Sequence, residues 1–215
     1  MLVKGCYRPL DWWSITDVID KIKNKGGMKE PMQRICRMQQ MKKVELDRER
    51  KITMYEITPI KEMSHEEWLK LRKTGIGGSD AAAICGLNPY ASAIHVFQDK
   101  MSKEVEMKDN ESMRQGRDLE DYVAKRFCEA TGLKVRRSNM LYRNKENPFM
   151  LADVDRLIVG QDAGLECKTA SAYNADKWKD GKIPLSYQIQ CYHYMSVCNA
   201  QAWYIAVLIY GRDFK

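Results

Sequence analysis

Two extended segments, residues 149–159 and 164–170, constrain this chain most, because they are joined by the turn Gly160-Gln-Asp-Ala-Gly164 and carry charged residues at regular intervals. A glycine-bounded connection of this kind predicts an antiparallel hairpin. Side chains alternate faces along a strand, so Glu166 and Lys168 point one way and Cys167 the other. Asp153 and Asp155 likewise share a face of the first strand, flanked by Val154 and Leu157. Pairing of the strands can then bring Asp155, Glu166 and Lys168 onto one surface. Carboxylates buried there without compensation would be costly, and a divalent ion bound between Asp155 and Glu166 would offset that cost. Mg²⁺ suits the pair because it prefers carboxylate oxygens and keeps some of its waters, with Mn²⁺ as the alternative ion. Phosphodiester hydrolysis needs a nucleophilic water, a neutralised phosphate and a stabilised leaving oxygen. The metal can serve all three needs, while Lys168 orients the attacking water or helps to deprotonate it. Taken alone, Asp-x(10)-Glu-x-Lys is also a pattern that a solvated surface hairpin can carry.

The elements around the hairpin predict its setting. Ser64 followed by Glu67 forms a capping-box pattern and opens a helix carrying Trp68, Leu69 and Leu71. The glycine-rich stretch Gly75-Ile-Gly-Gly-Ser79 turns into a short helix over 80–85, which Asn88-Pro89 breaks. The glycines fit an ordinary turn, and equally a place where the backbone comes close to a phosphate. Helical spacing of apolar residues predicts a helix over 112–130, with Gly132 where a C-terminal cap belongs. Strands are expected over 134–143, 149–159 and 164–170, then a helix over 185–197 and a strand over 202–210. This order predicts an α/β or α+β sheet flanked by helices.

Residues 1–60 differ from the rest and read as a basic N-terminal extension, with residues 61–215 forming the main domain. The extension is rich in Lys, Arg and Met, and short helices are plausible around 13–22 and 32–50. The formal charge of +7 permits a polyanionic partner without demanding one. The seven cysteines are odd in number and include no CxxC pair, which predicts reduced thiols in a cytoplasmic protein and speaks against a zinc or iron–sulfur site. Cys85, Cys128 and Cys191 are expected to be buried. No apolar run approaches the roughly 20 residues of a membrane helix, and Asp11 and Asp17 interrupt what would be a secretory signal. His65, His95 and His193 lack an evident partner for catalysis or metal binding and read as structural, as do Trp68, Tyr187, Tyr192 and Tyr194.

Four separated stretches, taken in order, give the pattern its context. Residues 64–210 resemble the YqaJ-type viral recombinase family, relatives of the lambda phage exonuclease. Trp68-Leu-Lys-Leu-Arg72 and Gly75-Ile-Gly-Gly-Ser79 resemble the family's first block, in which an arginine and a serine bind a terminal 5′-phosphate. Gly116-Arg-Asp-Leu-Glu120 resembles the second block, whose glutamate lies at the metal site. Leu151-Ala-Asp-Val-Asp155-Arg-Leu and Gly164-Leu-Glu166-Cys-Lys168 resemble the catalytic hairpin. Gln190, His193-Tyr-Met195 and Ala202-Trp-Tyr204 resemble the glutamine helix and the last strand. The chain departs from the family at Asp153, where a neutral residue is common, and residues 1–60 have no counterpart. Many relatives also continue beyond the point where this chain ends.

The resemblance implies an α/β fold with a PD-(D/E)xK, restriction-endonuclease-like core: a central mixed sheet flanked by helices. It implies a deoxyribonuclease, a Mg²⁺-dependent 5′–3′ exonuclease acting on linear duplex DNA in phage-type homologous recombination. Metal ligands would be Asp155, Glu166, Glu120 and the carbonyl of Cys167, with Asp153 a rival to Asp155. Lys168 would position the water and Gln190 would support it, with Gln188 a rival. Arg72 can grip a phosphate through two nitrogens, and Ser79 adds a hydroxyl near a helix start. Implied partners are duplex DNA ends, a single-strand annealing protein and further copies of the chain in a ring-shaped trimer, all in the cytoplasm of a bacterial host of a phage or prophage. Two alternatives remain: an endonuclease of restriction or repair type on the same core, and a non-catalytic DNA-binding module.

Overall fold

The computed structural model describes residues 2–4 (as backbone), 54–102, 104–105 and 109–209, all within one compact unit. The helices expected around 13–22 and 32–50 lie outside the described residues. Strand β1 is Leu2–Lys4 and β2 is Tyr55–Pro59. Helices α1 (His65–Lys73), α2 (Gly78–Ile84), α3 (Ala93–Met101) and α4 (Glu111–Thr131) follow. Short strands β3 (Val135–Arg137), β4 (Met140–Asn144), β5 (Leu151–Asp153) and β6 (Arg156–Ile158) lead to the longer β7 (Ala163–Ala170). A 3₁₀ stretch (Ala172–Gly181), helix α5 (Leu185–Cys198) and β8 (Ala202–Ile209) complete the unit. The fold is the mixed α/β arrangement that the sequence predicts. It takes in β1 and β2, both of which fall within the residues read as an extension.

Local signals explain the helix ends. Ser64 accepts the amide of Glu67 at 3.2 Å while its own amide donates to Glu67 Oε2 at 2.8 Å, so the capping box forms. Asn110 caps α4 by accepting from the Met113 amide at 2.9 Å, and Gly132 ends it at φ 71° in the left-handed region that glycine tolerates. Helix α3 has a cap the sequence reading missed: the Ser92 amide donates to His95 Nδ1 at 3.1 Å.

The extended segments expected over 134–143 and 149–159 are each cut in two. Strand order in the larger sheet is β1-β8-β7-β6-β3, and in the smaller one β2-β4-β5. The chain over 135–144 thus runs antiparallel to 151–158 across both sheets, but residues 138–140 face only Val154 and Asp155 between the last pair of one ladder and the first of the next. Asn139 occupies this irregularity at φ 52°. An extra residue of this kind bends a strand and re-aims its side chains. Asp153 therefore ends the small sheet while Asp155 sits at the bend leading into the large one, and the two do not share a strand face as expected.

Strand β7 is the backbone of the site, antiparallel to β6 and parallel to β8. Leu165 and Ala163 turn to one side, against Val123, Ala124 and Phe127 of α4. On the other side α5 and the 3₁₀ stretch cover Trp203, Ile205, Val207 and Ile209 of β8. Covering both faces accounts for the almost continuous apolar run of β8. Gly164 is required by this packing, since a Cβ there would lie 2.3 Å from the Trp203 ring. No helix among the described residues is long and apolar enough to cross a membrane. Cys191 is buried as expected and Cys128 partly so, but Cys85 is exposed because it caps the end of α2.

Candidate active site

Glu166 lies at the centre of the unit, only 2% exposed, on the β7 face that looks toward α5. Its Oε1 accepts hydrogen bonds from Lys168 Nζ and, at 2.7 Å, from Gln190 Nε2. The two-residue spacing of a strand brings Lys168 to the same face, where its ammonium also stands 5.2 Å from the Tyr187 ring centre. Gln188 is turned away and donates to the Ile183 carbonyl at 2.7 Å, which leaves Gln190 as the glutamine beside the acid.

Asp155 reaches the same centre from the bend before β6. The β6–β7 ladder begins only at Arg156 and Leu165, so the amide of Cys167 lies beyond the last strand partner. Asp155 Oδ2 takes that amide at 2.7 Å, a carboxylate standing in for a ladder carbonyl. Burial, then the nearby Glu166 charge, pushes the Asp155 carboxyl well above the ordinary carboxylate range. Burial likewise raises Glu166, with Lys168 opposing. Burial works against the Lys168 ammonium, but Glu166 and Asp155 outweigh it and hold the proton more firmly than usual. Two acids thus face one lysine, leaving a surplus of negative charge in a poorly solvated place.

Glu120 arrives from α4, on the opposite side of β7. Its carboxylate pairs with Arg156, which also pairs with Asp121, and it lies 3.5 Å from Arg137. Arg156 is 4% exposed, and its Nη1 also donates to the Asp155 carbonyl at 2.7 Å. Glu120 is close enough to raise the carboxyls of Asp155 and Glu166, yet its own contacts are to arginines. No group of three or more His, Cys, Asp or Glu that could hold a metal ion forms among the described residues. The acids that do meet still suit a hard divalent cation. Glu166 Oε2 is buried without a hydrogen-bond partner, the surplus charge is negative, and the donors are oxygens.

A second cluster adjoins the acids. Arg72, on the last turn of α1, donates to Ser79 Oγ at 3.2 Å and stacks over Trp68 at 4.8 Å from its ring. Trp68 has His65 on it at 5.3 Å and donates through Nε1 to Asp153 at 2.8 Å. Trp68 is therefore a support for Arg72, and Asp153 is occupied with the indole, away from Asp155. Burial raises the Asp153 carboxyl, while the Trp68 bond and Arg72 oppose the shift. A cleft opens here, lined by Arg72, Gly77, Ser79, Asp153 and Tyr194 among others.

The glycines divide by role. A Cβ on Gly75 would lie 2.5 Å from the Phe149 carbonyl, and one on Gly78 would lie 2.7 Å from the Tyr194 ring, so both serve close packing. Gly77 and Gly78 both line the cleft, but a Cβ on Gly77 would meet nothing nearer than 3.6 Å. Tyr194 is more than the packing residue expected: its hydroxyl accepts from Gln190 at 2.9 Å. The four-residue separation of Gln190 and Tyr194 on a helix was the available signal. Arg156, buried between two acids, carried no signal in the sequence beyond standing next to Asp155.

A five-stranded mixed sheet with an acid–lysine strand at its middle and helices on both faces defines the PD-(D/E)xK class of fold. The family follows from the sequence: the chain belongs to the YqaJ-like viral recombinase domain family, whose model matches residues 67–201. The Bacillus subtilis (strain 168) protein called "Uncharacterized protein YqaJ" is 47% identical over 156 residues, which make up 71% of this chain and 49% of that protein. The chain thus spans about half the length of the curated relative it matches. Among solved structures, the alkaline exonuclease LHK-Exo from Laribacter hongkongensis matches with a TM-score of 0.57 at 19% identity, over 69% of this chain and 76% of that one. LHK-Exo in complex with dAMP matches with a TM-score of 0.56 at 20% identity, over 66% and 73%. At these identities the likeness is one of fold.

Proposed function

We propose that this chain is a divalent-metal-dependent deoxyribonuclease that degrades linear duplex DNA from its 5′ ends in phage-type homologous recombination. The observation that carries the reading is the adjacency of two clusters: acids with a lysine, and an arginine–serine cleft, linked through Gln190 and Tyr194. A hydrolytic group beside a phosphate-binding group is what hydrolysis at a DNA terminus requires. Membership of a viral recombinase family and the likeness in fold to an alkaline exonuclease support the same reading.

Asp155, Glu166 and the carbonyl of Cys167 would hold Mg²⁺, or Mn²⁺ in its place, with Glu120 as a further ligand on exchange from Arg156. When bound, the cation would activate a water and neutralise charge at the phosphate. Lys168, kept as an ammonium by its two acidic neighbours, orients the attacking water and steadies negative charge, a role that suits it better than proton abstraction. Gln190 holds the Glu166 carboxylate in place from α5. Arg72 and Ser79 take the 5′-phosphate and so set the scissile bond at a fixed distance from the acids. By family resemblance, the product is a 3′ overhang handed to a single-strand annealing protein, and the working form is a ring-shaped trimer in a bacterial cytoplasm.

End-labelled linear duplex, digested with and without Mg²⁺, tests the reading. The expected result is stepwise loss of the 5′ label only with the metal, with a covalently closed circle of the same sequence left intact. Cutting of the circle would instead favour an endonuclease on the same core. Failure of any divalent metal to support degradation would leave a DNA-binding module.

A further inference from the structure

Tyr194 stands between the two clusters, and its hydrogen bonding is incomplete in one direction. The amide group of Gln190 has two N–H donors, and they go to Glu166 Oε1 at 2.7 Å and to the Tyr194 hydroxyl at 2.9 Å. The tyrosine oxygen therefore accepts, and its own proton is left to donate. Among the described residues that proton has no acceptor, although the residue is 5% exposed. A buried hydroxyl without an acceptor is uncommon. The ring is fixed, lying against the backbone of Gly78 on one side and 5.4 Å from the Trp203 ring on the other. Tyr194 also lines the cleft that Arg72 and Ser79 line. Beside it on that wall, Ser79 accepts from Arg72 and Asp153 accepts from Trp68.

We propose that Tyr194 is a third donor of the phosphate cleft, its hydroxyl donating to a phosphoryl oxygen gripped by Arg72 and Ser79 while its oxygen keeps the bond from Gln190. The inference rests on the phosphate-binding role given to Arg72 and Ser79 above. It adds a positioning function: an occupied cleft polarises and fixes Tyr194, and through Gln190 fixes the carboxylate of Glu166. Substrate recognition and the acidic centre are then joined by one chain of hydrogen bonds.

Binding of two duplexes that differ only in a 5′-phosphate or a 5′-hydroxyl end, measured by fluorescence anisotropy in EDTA, separates this inference from cleavage. The full-length wild-type chain is expected to prefer the phosphorylated end, and Arg72→Ala to lose that preference. Tyr194→Phe keeps the ring and should cut the preference by about tenfold, the effect of one hydrogen bond to a charged group. Unchanged preference in a Tyr194→Phe protein that melts like the wild type overturns the inference and leaves the cleft assignment standing. No preference in the wild type overturns both. If Tyr194→Phe fails to fold, Gly78→Ala, which drives a methyl group into the ring, gives the same readout, and an unaltered preference there overturns the inference as well.

Discussion

The acidic centre on β7 and the Arg72 cleft adjoin across α5, yet they are built from different material. Glu166 and Lys168 stand on β7, and Asp155, at the bend before β6, takes over a ladder hydrogen bond at the Cys167 amide. Their positions are set by the sheet, so they shift only if the sheet does. Arg72 hangs from the end of α1, propped on Trp68, which one hydrogen bond ties to Asp153. The first region holds buried charge in a fixed frame. The second is a stack of side chains that a single substitution can loosen. A rigid centre beside an adjustable grip is an arrangement in which chemistry is lost all at once and selectivity is lost by degrees.

Variants can break that contrast, starting with the largest effect. Lys168→Ala should lower the cleavage rate by on the order of 10²–10⁴ while duplex affinity stays within a few-fold, read by single-turnover digestion and anisotropy. Retained cleavage would show that the centre does not depend on its lysine. Arg72→Ala should cost about 10–100-fold in the rate ratio of 5′-phosphorylated to 5′-hydroxyl ends, with cleavage of phosphorylated ends slowed but present. An unchanged ratio would remove Arg72 from the cleft.

Between those regions, Gly78→Ala should destabilise the fold by about 1–3 kcal/mol in chemical denaturation, because its Cβ meets the Tyr194 ring and Gln190. Gly77→Ala, whose Cβ would make only ordinary contacts at 3.6 Å from Asp80 and 3.9 Å from Arg72, should melt close to the wild type, and equal losses would mean that the two glycines are not distinguished by packing. Mg²⁺ should raise the melting temperature more as pH rises. Burial raises the Asp155 and Glu166 carboxyls, so protons stay on the folded chain at pH values where the unfolded chain has lost them. That proton-linked stability is lost as pH rises through the folded values, and a cation competing for the same oxygens gains there. A shift that shrinks from about pH 6 to 9 would contradict the acids as its ligands. The smallest effect belongs to Trp68→Phe, which keeps a ring under Arg72 but removes the Asp153 bond. About 1 kcal/mol, a roughly fivefold drop in end preference, is expected, and none at all would make the prop dispensable.

Much of this was legible in order along the chain. The capping box at Ser64, the glycine stop at Gly132, the period-two pairing of Glu166 with Lys168 and the apolar run of β8 are local rules, set by neighbours a few residues apart. The sequence also offered Gln190 and Gln188 as rivals, and the structure puts only Gln190 on Glu166. What local rules could not show was the cut through the segments over 134–143 and 149–159. Alternation along an unbroken strand placed Asp153 with Asp155, but one extra residue near Asn139 divides the strand between two sheets and sends the two acids to different clusters. Glu120 is a similar case, since its pairing with Arg156 needs a buried arginine from a strand 36 residues away.

From its residues alone, then, the chain determined which groups could do chemistry and on which elements they ride, because helix and strand periodicity depend on near neighbours. Only the tertiary structure decided which of those groups meet. Hydrogen bonds such as Gln190 to Glu166 and Trp68 to Asp153 depend on how sheets divide and helices cross, and those are settled by burial over the whole unit.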